Sequence, residues 1–365
     1  MSPIFYAQVS RRQSDFFFTF TRSSEALFRA GVDAVNFSAY EGIPANGEIE
    51  HTLRRLPAGR YCDEQAYDFG VTFVAGAGNK ASTGGHWAYV ASPANALNVI
   101  GVGMLWDNFS PAWMDDAMSA DSSWVNPAGV YGDRQEPEVI ADGHNVVGVD
   151  STRTAGVSPM GGTSLSAPIV TGIVGLMNDT YRNQGGGYTL PVEVVRSVLA
   201  TAAIHNVENA STPSSRYSYP FVHLAARQGA GAVDALSAFE IIRKSQMGML
   251  RLAGVCPALG SGGRQVLPGA RLNLSRGDRA RFAMAFTSLA TSLDTPTADI
   301  DLVIAQVDPQ SGNVIRLAAW SGQIESTLEM VEFRAETSGT YQAFISARSC
   351  RRAPWYLGYA WNAIP

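Results

Sequence analysis

Apolar positions in the first two-thirds of the chain form short runs that alternate with segments of helical periodicity. Such alternation is typical of a mostly parallel sheet flanked by helices, so the pattern predicts an α/β fold for this region. A helix is predicted to end at Gly31, because glycine commonly follows the last helical turn. The predicted strands are 4–9, 34–38, 70–75, 98–103, 138–141 and 146–149, and the predicted helices lie at 25–30, 63–69, 164–178, 191–203 and 232–245.

The periodicity changes to two from about Met247 onward. Short alternating segments, separated by turn signals such as Asp308-Pro-Gln-Ser-Gly312, are typical of an all-β sandwich. We therefore expect two domains, residues 1–247 and residues 248–365. The predicted strands of the second domain are 281–287, 301–307, 314–320, 328–333, 340–345 and 355–361.

Composition and charge argue against several classes of protein. Hydrophobic residues make up 46% of the 365 residues, enough for a substantial core, and the net charge is −5. An acidic balance without a basic stripe argues against nucleic acid as a partner. No apolar run reaches the roughly 18 residues that a membrane span requires. The first residues also lack the charged and apolar regions of a signal peptide.

The three cysteines, Cys62, Cys256 and Cys350, do not have metal-binding spacing. Cys256 and Cys350 flank the predicted β domain and could pair in an exported protein. Isolated buried thiols are the equally weighted alternative. Cys62 has no evident partner in the sequence.

The most informative chemistry is in Gly161-Gly-Thr-Ser-Leu-Ser-Ala-Pro168. Two glycines allow a sharp turn and close approach of a ligand, and Ser164 then stands in the first turn of an apolar helix. The backbone N–H groups of that turn have no helical partner and favour a developing negative charge. This is the backbone setting that a nucleophilic serine requires. The alternative is an ordinary helix cap, which is common.

A second candidate follows the predicted strand at 70–75. The side chain of Asn79, after the small residues Ala75-Gly-Ala-Gly78, could donate a hydrogen bond to a tetrahedral oxyanion. A plain Gly-Asn turn is the alternative.

Together these segments resemble the subtilisin-like serine peptidases. Gly162–Pro168 is similar to the nucleophile motif of that family, Ala75–Asn79 to its oxyanion motif, and Val35–Tyr40 to the strand that holds an extended substrate. Tyr40 stands where the family usually has glycine, which would alter the subsite. The resemblance implies Ser164 as nucleophile, Asn79 as oxyanion donor, and a substrate site containing Ser38, Ala39, Tyr40, Ala75, Gly76, Ala77 and Thr163.

Further matches extend the resemblance over about residues 3–245. Glu136–Gly143 and Gly229–Ala235 resemble two later family segments, and Asp299–Ile304 with Gly339–Tyr341 resemble the pre-peptidase C-terminal β-sandwich. The resemblance implies no cofactor. Calcium is common in the family, but no ligand set is recognisable in this sequence. Asp299 and Asp301 are expected to form a solvated acidic pair in a loop.

The catalytic Asp and His of the family are the parts that this sequence lacks. The family places both upstream of the substrate strand, yet no histidine precedes Ala34. The resemblance of Pro3–Val9 to the strand after the catalytic histidine implies that the chain starts just past the missing part. A segment or chain carrying Asp and His is thus an expected partner, and it could also carry the mate of Cys62. The later histidines, His51, His86, His144, His205 and His223, are each disfavoured as the base, and His144 is the least disfavoured because its loop runs toward the serine segment.

The resemblance therefore implies a serine endopeptidase that cleaves peptides or proteins and is secreted or held in the cell envelope. Without its base, the chain as written is expected to be nearly inactive. A pseudo-peptidase that binds extended peptides without cutting them is the main alternative. A lipase-like hydrolase using Ser164 with His205 or His223 is disfavoured because Ser166 interrupts the Gly-x-Ser-x-Gly elbow. The sedolisin branch is disfavoured by Asn79, since that branch has aspartate there.

Overall fold

The structure is a computed structural model of the chain. It describes residues 13–40, 56–110, 115–126, 133–149, 156–204, 221–222, 227–252, 264–289 and 295–364. Its helices and strands fall into an α/β part and a β part, as the change of periodicity predicts.

A sheet of mostly parallel strands forms the centre of the α/β part. Strands β1, β2, β3 and β5 are parallel neighbours in that order, and the short β4 pairs antiparallel with the end of β3. The bounds are β1 Ala34–Phe37, β2 Thr72–Gly76, β3 Ile100–Trp106, β4 Ala117–Met118 and β5 Val139–Asp142. Every residue of β2 is buried, as expected of an inner parallel strand.

Five helices accompany this sheet within the described residues: α1 Gln13–Arg29, α2 Pro57–Phe69, α3 Thr163–Asn183, α4 Val192–Ala202 and α5 Ala235–Arg243. Helix α2 ends at Gly70, whose positive φ of 68° is a left-handed conformation that glycine adopts without cost. Helix α3 packs across β1, β2 and β3 with Val170 and Val174 in the core. A hairpin of β6 (Val146–Val149) and β7 (Val157–Met160) leads into α3.

The β part consists of two antiparallel sheets. One has the strand order β10–β15–β12–β13, and the other has the order β8–β14–β11–β16–β9. Their inner faces share one apolar core that includes Phe282, Leu302 and Tyr341. The bounds are β8 Phe221–Val222, β9 Met247–Arg251, β10 Gln265–Leu274, β11 Arg279–Phe286, β12 Ala298–Val307, β13 Val314–Ser321, β14 Leu328–Arg334, β15 Gly339–Cys350 and β16 Tyr356–Ile364.

Helix α4 is the element that joins the two parts. All of its residues are buried, because it lies between the α/β core and the sheet that contains β11 and β16. Gly358 on β16 approaches so closely that an added Cβ would overlap the α4 backbone at Glu193 and Val194. The hydroxyl of Ser197 donates to the Gly358 carbonyl at 2.9 Å. The main core cluster accordingly includes residues of both parts, such as Val194 and Met330.

A buried arginine strengthens this contact. Arg281 on β11 is 1% exposed and donates to the carbonyls of Ala200 and Ala203 at the end of α4, and it forms an ion pair with Glu332. It thereby satisfies carbonyls that a helix C-terminus leaves without partners. The β part supplies a cap for a helix of the α/β part.

The predicted strands at 34–38, 70–75, 98–103, 138–141 and 146–149 are confirmed as β1, β2, β3, β5 and β6, and the predicted helices are confirmed with shifted ends. All six predicted strands of the β part are present as well. Strands β4, β7, β8, β9 and β10 were not predicted. The predicted strand 4–9 lies outside the described residues.

Asp299 and Asp301 contradict the expectation of a solvated loop pair. Both lie on β12, and Asp299 is only 6% exposed. Burial raises the pKa of Asp299 to about 7, and the neighbouring charge of Asp301 adds to this. The sequence prediction was wrong because strand β12 begins three residues earlier than predicted and carries the pair into the sheet.

Cys350 at the end of β15 is disulfide-bonded. Cys256, the partner that the sequence analysis left open, lies outside the described residues. Cys62 is buried in α2.

The buried carboxylate of Asp63 links α2 to the β part through Asn98. Asp63 accepts hydrogen bonds from the backbone N–H groups of Leu97 (3.2 Å) and Asn98 (2.8 Å). The Asn98 side chain in turn exchanges two hydrogen bonds with the backbone of Ser288. Burial raises the pKa of Asp63 to about 7, against a usual 3.8.

This raised pKa predicts a pH dependence of stability. Between about pH 4 and pH 7 the folded protein holds a proton on Asp63 that the unfolded chain has released. The free energy of unfolding should therefore fall as pH rises through that window, by at most about 1.4 kcal/mol per pH unit from this group. Urea unfolding at several pH values should show a shallower slope for Asp63→Asn. Asp68→Asn, an exposed position on the same helix, should keep the original slope, and equal slopes for both variants would contradict the assignment.

Removing the buried arginine should destabilise both parts together. Arg281→Met leaves Glu332 without its buried partner and leaves the α4 carbonyls uncapped, which should cost about 3–5 kcal/mol of unfolding free energy. The exposed Arg334→Met on neighbouring β14 is the matched control and should change little. Thermal unfolding followed by circular dichroism measures both. An Arg281→Met protein as stable as the control would show that the arginine cap does not contribute to stability.

Candidate active site

The candidate nucleophile lies where the sequence predicts it. Helix α3 begins at Thr163, so Ser164 stands in its first turn, and its side chain is exposed. Gly162 precedes the helix with φ of 142°, a conformation that side chains rarely adopt. An added Cβ there would lie 3.2 Å from Nδ2 of Asn79. The two glycines thus bring the Asn79 carboxamide against the start of α3.

Thr163 connects the end of β2 to the start of α3. Its backbone N–H donates to Oδ1 of Asn79 at 2.8 Å, and its hydroxyl donates to the same oxygen at 3.2 Å. The hydroxyl also accepts the N–H of Gly78 at 3.1 Å. Because Oδ1 faces Thr163, the orientation of the carboxamide is fixed and its Nδ2 is turned away from these bonds. No described residue accepts a hydrogen bond from that Nδ2.

The predicted substrate residues separate into two groups. Ser38, Ala39 and Tyr40 follow β1 and are all exposed, with Tyr40 at 41%. Ala75 and Ala77 are fully buried in the β2 region, and a Cβ on Gly76 would collide with Thr163. The first group therefore offers a surface beside Ser164, whereas in the second group Gly76 lies against Thr163 and the two alanines are part of the core. A role in substrate binding stays a prediction for all of them.

Ser38 and Ser164 hold each other by reciprocal bonds. The Ser164 hydroxyl donates to the Ser38 carbonyl at 3.1 Å, and the Ser38 hydroxyl donates to the Ser164 carbonyl at 2.9 Å. Asn36 supports the arrangement by donating to the Ser38 hydroxyl at 2.9 Å. These contacts were not predicted from the sequence, because they join residues 126 positions apart. They place the end of β1 directly at the candidate nucleophile.

His144 is the histidine that the structure allows to be judged, since the side chains of His51, His86, His205 and His223 lie outside its described part. Its loop does reach the nucleophile segment, because the carbonyl of Gly143 accepts the N–H of Gly162 at 2.8 Å. The imidazole itself packs on Trp106, with ring centroids 5.1 Å apart. Within the described residues, the Ser164 hydroxyl therefore donates to a backbone carbonyl, that of Ser38, and not to a histidine.

No group of three or more His, Cys, Asp or Glu side chains in the described ranges is arranged to hold a metal ion. None of the described helices is long and apolar enough to cross a bilayer.

Comparison with known proteins shows two serine proteases of similar sequence. Over 159 residues the chain is 33% identical to the subtilisin-like protease SBT6.1 of Arabidopsis thaliana, a match that covers 42% of this chain and 13% of that protein. Over 126 residues it is 31% identical to the serine protease AprX of Bacillus subtilis (strain 168), covering 31% of this chain and 27% of that protein. The chain thus matches well under a third of the length of either relative.

Solved structures with similar backbones include the prenylagaramide maturation protease PagA and a lanthipeptide protease. The former is 20% identical, with a TM-score of 0.45 over 64% of this chain and 70% of that one. The latter is 16% identical, with a TM-score of 0.45 over 64% and 68% of the two chains. The model of the subtilase family matches residues 21–231, which is more than half of the chain and includes strands β1 to β7 and helices α2 to α4. The chain belongs to the subtilase family of serine peptidases.

Proposed function

We propose that this protein is a serine endopeptidase that forms an acyl-enzyme on Ser164. The observation that carries the proposal is the meeting of three features at the start of α3: the exposed hydroxyl of Ser164, the N–H of the same residue in the first helical turn, and the oriented carboxamide of Asn79. Membership of the subtilase family supports the same reaction class.

The geometry supplies what the tetrahedral intermediate needs. When Ser164 attacks a peptide carbonyl, the carbonyl oxygen becomes negative and needs hydrogen-bond donors that are already in place. The N–H of Ser164 has no helical partner, and the dipole of α3 favours negative charge at this end. Nδ2 of Asn79 is the second donor, held in orientation by the bonds from Thr163 to Oδ1.

The substrate would be an extended peptide or protein segment lying along the exposed residues after β1. Ser38, Ala39 and Tyr40 are exposed beside Ser164, and the substrate would pair with this segment in a strand-like manner. The Ser38 carbonyl holds the Ser164 hydroxyl in the structure. That bond must break before Ser164 can attack.

The general base is the component that the described residues do not provide. A backbone carbonyl cannot take the proton of Ser164, so a group outside the described side chains must do so. Among the described strands, β1 pairs on one side only, with β2. Its other edge can accept a further strand, and a segment carrying Asp and His paired there would bring the base close to Ser38 and Ser164.

A pseudo-peptidase that binds extended peptides is the second candidate. The bond between Ser164 and the Ser38 carbonyl favours it, because a hydroxyl without a base is a poor nucleophile. If the protein binds an extended peptide but shows no hydrolysis that is lost in Ser164→Ala, the second function is favoured over the first.

Secretion or retention in the cell envelope is proposed for the localisation. The disulfide at Cys350 supports it, because such bonds persist mainly in oxidising compartments.

Covalent labelling tests the nucleophile directly. With the segment or chain that carries Asp and His supplied, a fluorophosphonate should add once to the protein, at Ser164, and tandem mass spectrometry of the digest locates the adduct. Ser164→Ala should remain unlabelled, whereas Ser158→Ala on the preceding hairpin should label like the original protein. Hydrolysis of an unstructured protein such as casein should be lost in the same variant. Labelling that persists in Ser164→Ala would refute the proposed role.

Two substitutions separate the donor role of Asn79 from its support of Thr163. Asn79→Asp retains an oxygen for the Thr163 N–H but loses the Nδ2 donor, and it should slow phosphonylation about 10²–10³-fold with a nearly unchanged melting temperature. Asn79→Ala should be equally slow and also less stable by about 1 kcal/mol, since it loses both. If Asn79→Asp reacts at the original rate, the carboxamide is not the oxyanion donor.

A further inference from the structure

A cavity of about 340 Å³ lies apart from the Ser164 site, at the carboxyl ends of β3 and β5. Asp107 follows β3, Asp142 ends β5, and Asp116 precedes β4. All three line the cavity. The carboxyl edge of a parallel sheet is a common place for ligands, and this volume is within the usual range of small-molecule sites.

Asp116 is the central feature of this Asp116 cavity. It is only 4% exposed, and within the described residues the groups that act on its carboxylate are other carboxylates, with no hydrogen-bond donor or ion-pair partner among them. Its carboxylate lines the cavity, where a ligand with positive charge would supply the partner that the described protein groups do not. Burial raises the pKa values of Asp116 and Asp142, and repulsion between neighbouring carboxylates raises them further. The nearby charges that act on Asp116 are those of Asp107, Asp115 and Asp142.

The remaining walls decide which cation fits. Leu105, Ile169, Ile173 and Val233 give the cavity apolar sides next to its acidic end. A bare metal ion would leave these walls unused, and the described carboxylates are not grouped closely enough to coordinate one. An alkyl chain that ends in an ammonium or guanidinium group matches both surfaces, with the stem against the apolar walls and the head at the carboxylates.

We propose that the Asp116 cavity is a binding site for an alkyl cation, either a free amine or guanidine or the basic side chain of a polypeptide. The site is built partly by Ile169 and Ile173 of α3, the helix that carries Ser164, and Asp142 adjoins the residue whose carbonyl holds Gly162. Binding of a cation at this cavity does not require peptidase activity, so a test of the cavity is independent of a test of the proposed function.

Calorimetric titration of the full chain with n-butylguanidinium tests the proposal, and n-butylurea serves as the uncharged probe of matching shape. The guanidinium should bind saturably with one site per chain and at least about tenfold more tightly than the urea. Asp116→Asn should weaken its binding at least about tenfold, whereas Asp68→Asn, an exposed carboxylate on α2, should not. Asp107→Asn provides the same test if Asp116→Asn does not fold.

A further arm distinguishes the two sources of the cation. A short peptide with one arginine that displaces n-butylguanidinium would identify a polypeptide side chain as the ligand, and failure of the peptide to displace it would identify a free cation. The proposal is overturned if n-butylguanidinium shows no saturable binding or binds no better than n-butylurea. It is overturned as well if binding is unaffected by both Asp116→Asn and Asp107→Asn, or if calcium alone occupies the site and the alkyl cation does not.

Discussion

The hydrogen bond from the Thr163 N–H to the side-chain oxygen of Asn79 is the contact on which the candidate site depends. It joins the end of an inner strand to the first turn of the helix that carries Ser164. With its oxygen engaged there, the carboxamide has one orientation, and its N–H₂ group is available for another partner. A peptidase needs donors of fixed orientation, because donors that must reorganise during the reaction stabilise its transition state less.

The β part contributes directly to the packing of the α/β part that contains the candidate site. Helix α4 is buried on every side, and the sheet of β11 and β16 covers what would otherwise be solvent-exposed apolar surface. Arg281, Glu332, Glu193 and Arg196 bring charge into that contact, where each is hydrogen-bonded. Unpartnered charges in such a place would be costly, so the contact is specific in its geometry and not merely apolar. The edge strand β8, from a segment before α5, also joins the β part through β14.

Much of the fold follows from the sequence because its strands and helices have clear periods. Strand β10 was missed since Pro268 and Gly269 interrupt its alternation and its pairing with β15 shifts register there. Strands β4 and β8 have two residues each, too few for any pattern. Glu193 and Arg196 on α4 have the spacing of a solvated face, and nothing local in the sequence shows that another sheet covers them. Sequence patterns report on neighbours along the chain, whereas burial of α4 is decided by residues about 90 and more positions away.

The candidate site shows the same division. Ser164 and Asn79 were selected from the sequence because several motifs together resemble one family, since each glycine-rich turn by itself is equally consistent with an ordinary cap or turn. The reciprocal bonds between Ser38 and Ser164 were not, since they depend on the placement of α3 across β1. Asp116 was also missed: in the sequence it is one of two adjacent aspartates with the composition of a surface loop, and only the fold encloses it.

A crystal structure of the Ser164 phosphonate adduct would test the central claim most directly. The account predicts one phosphonyl oxygen within hydrogen-bond distance, about 2.7–3.1 Å, of both the Ser164 N–H and Nδ2 of Asn79. An adduct whose oxygens all point to solvent, or an Asn79 carboxamide turned away from the phosphorus, would contradict it.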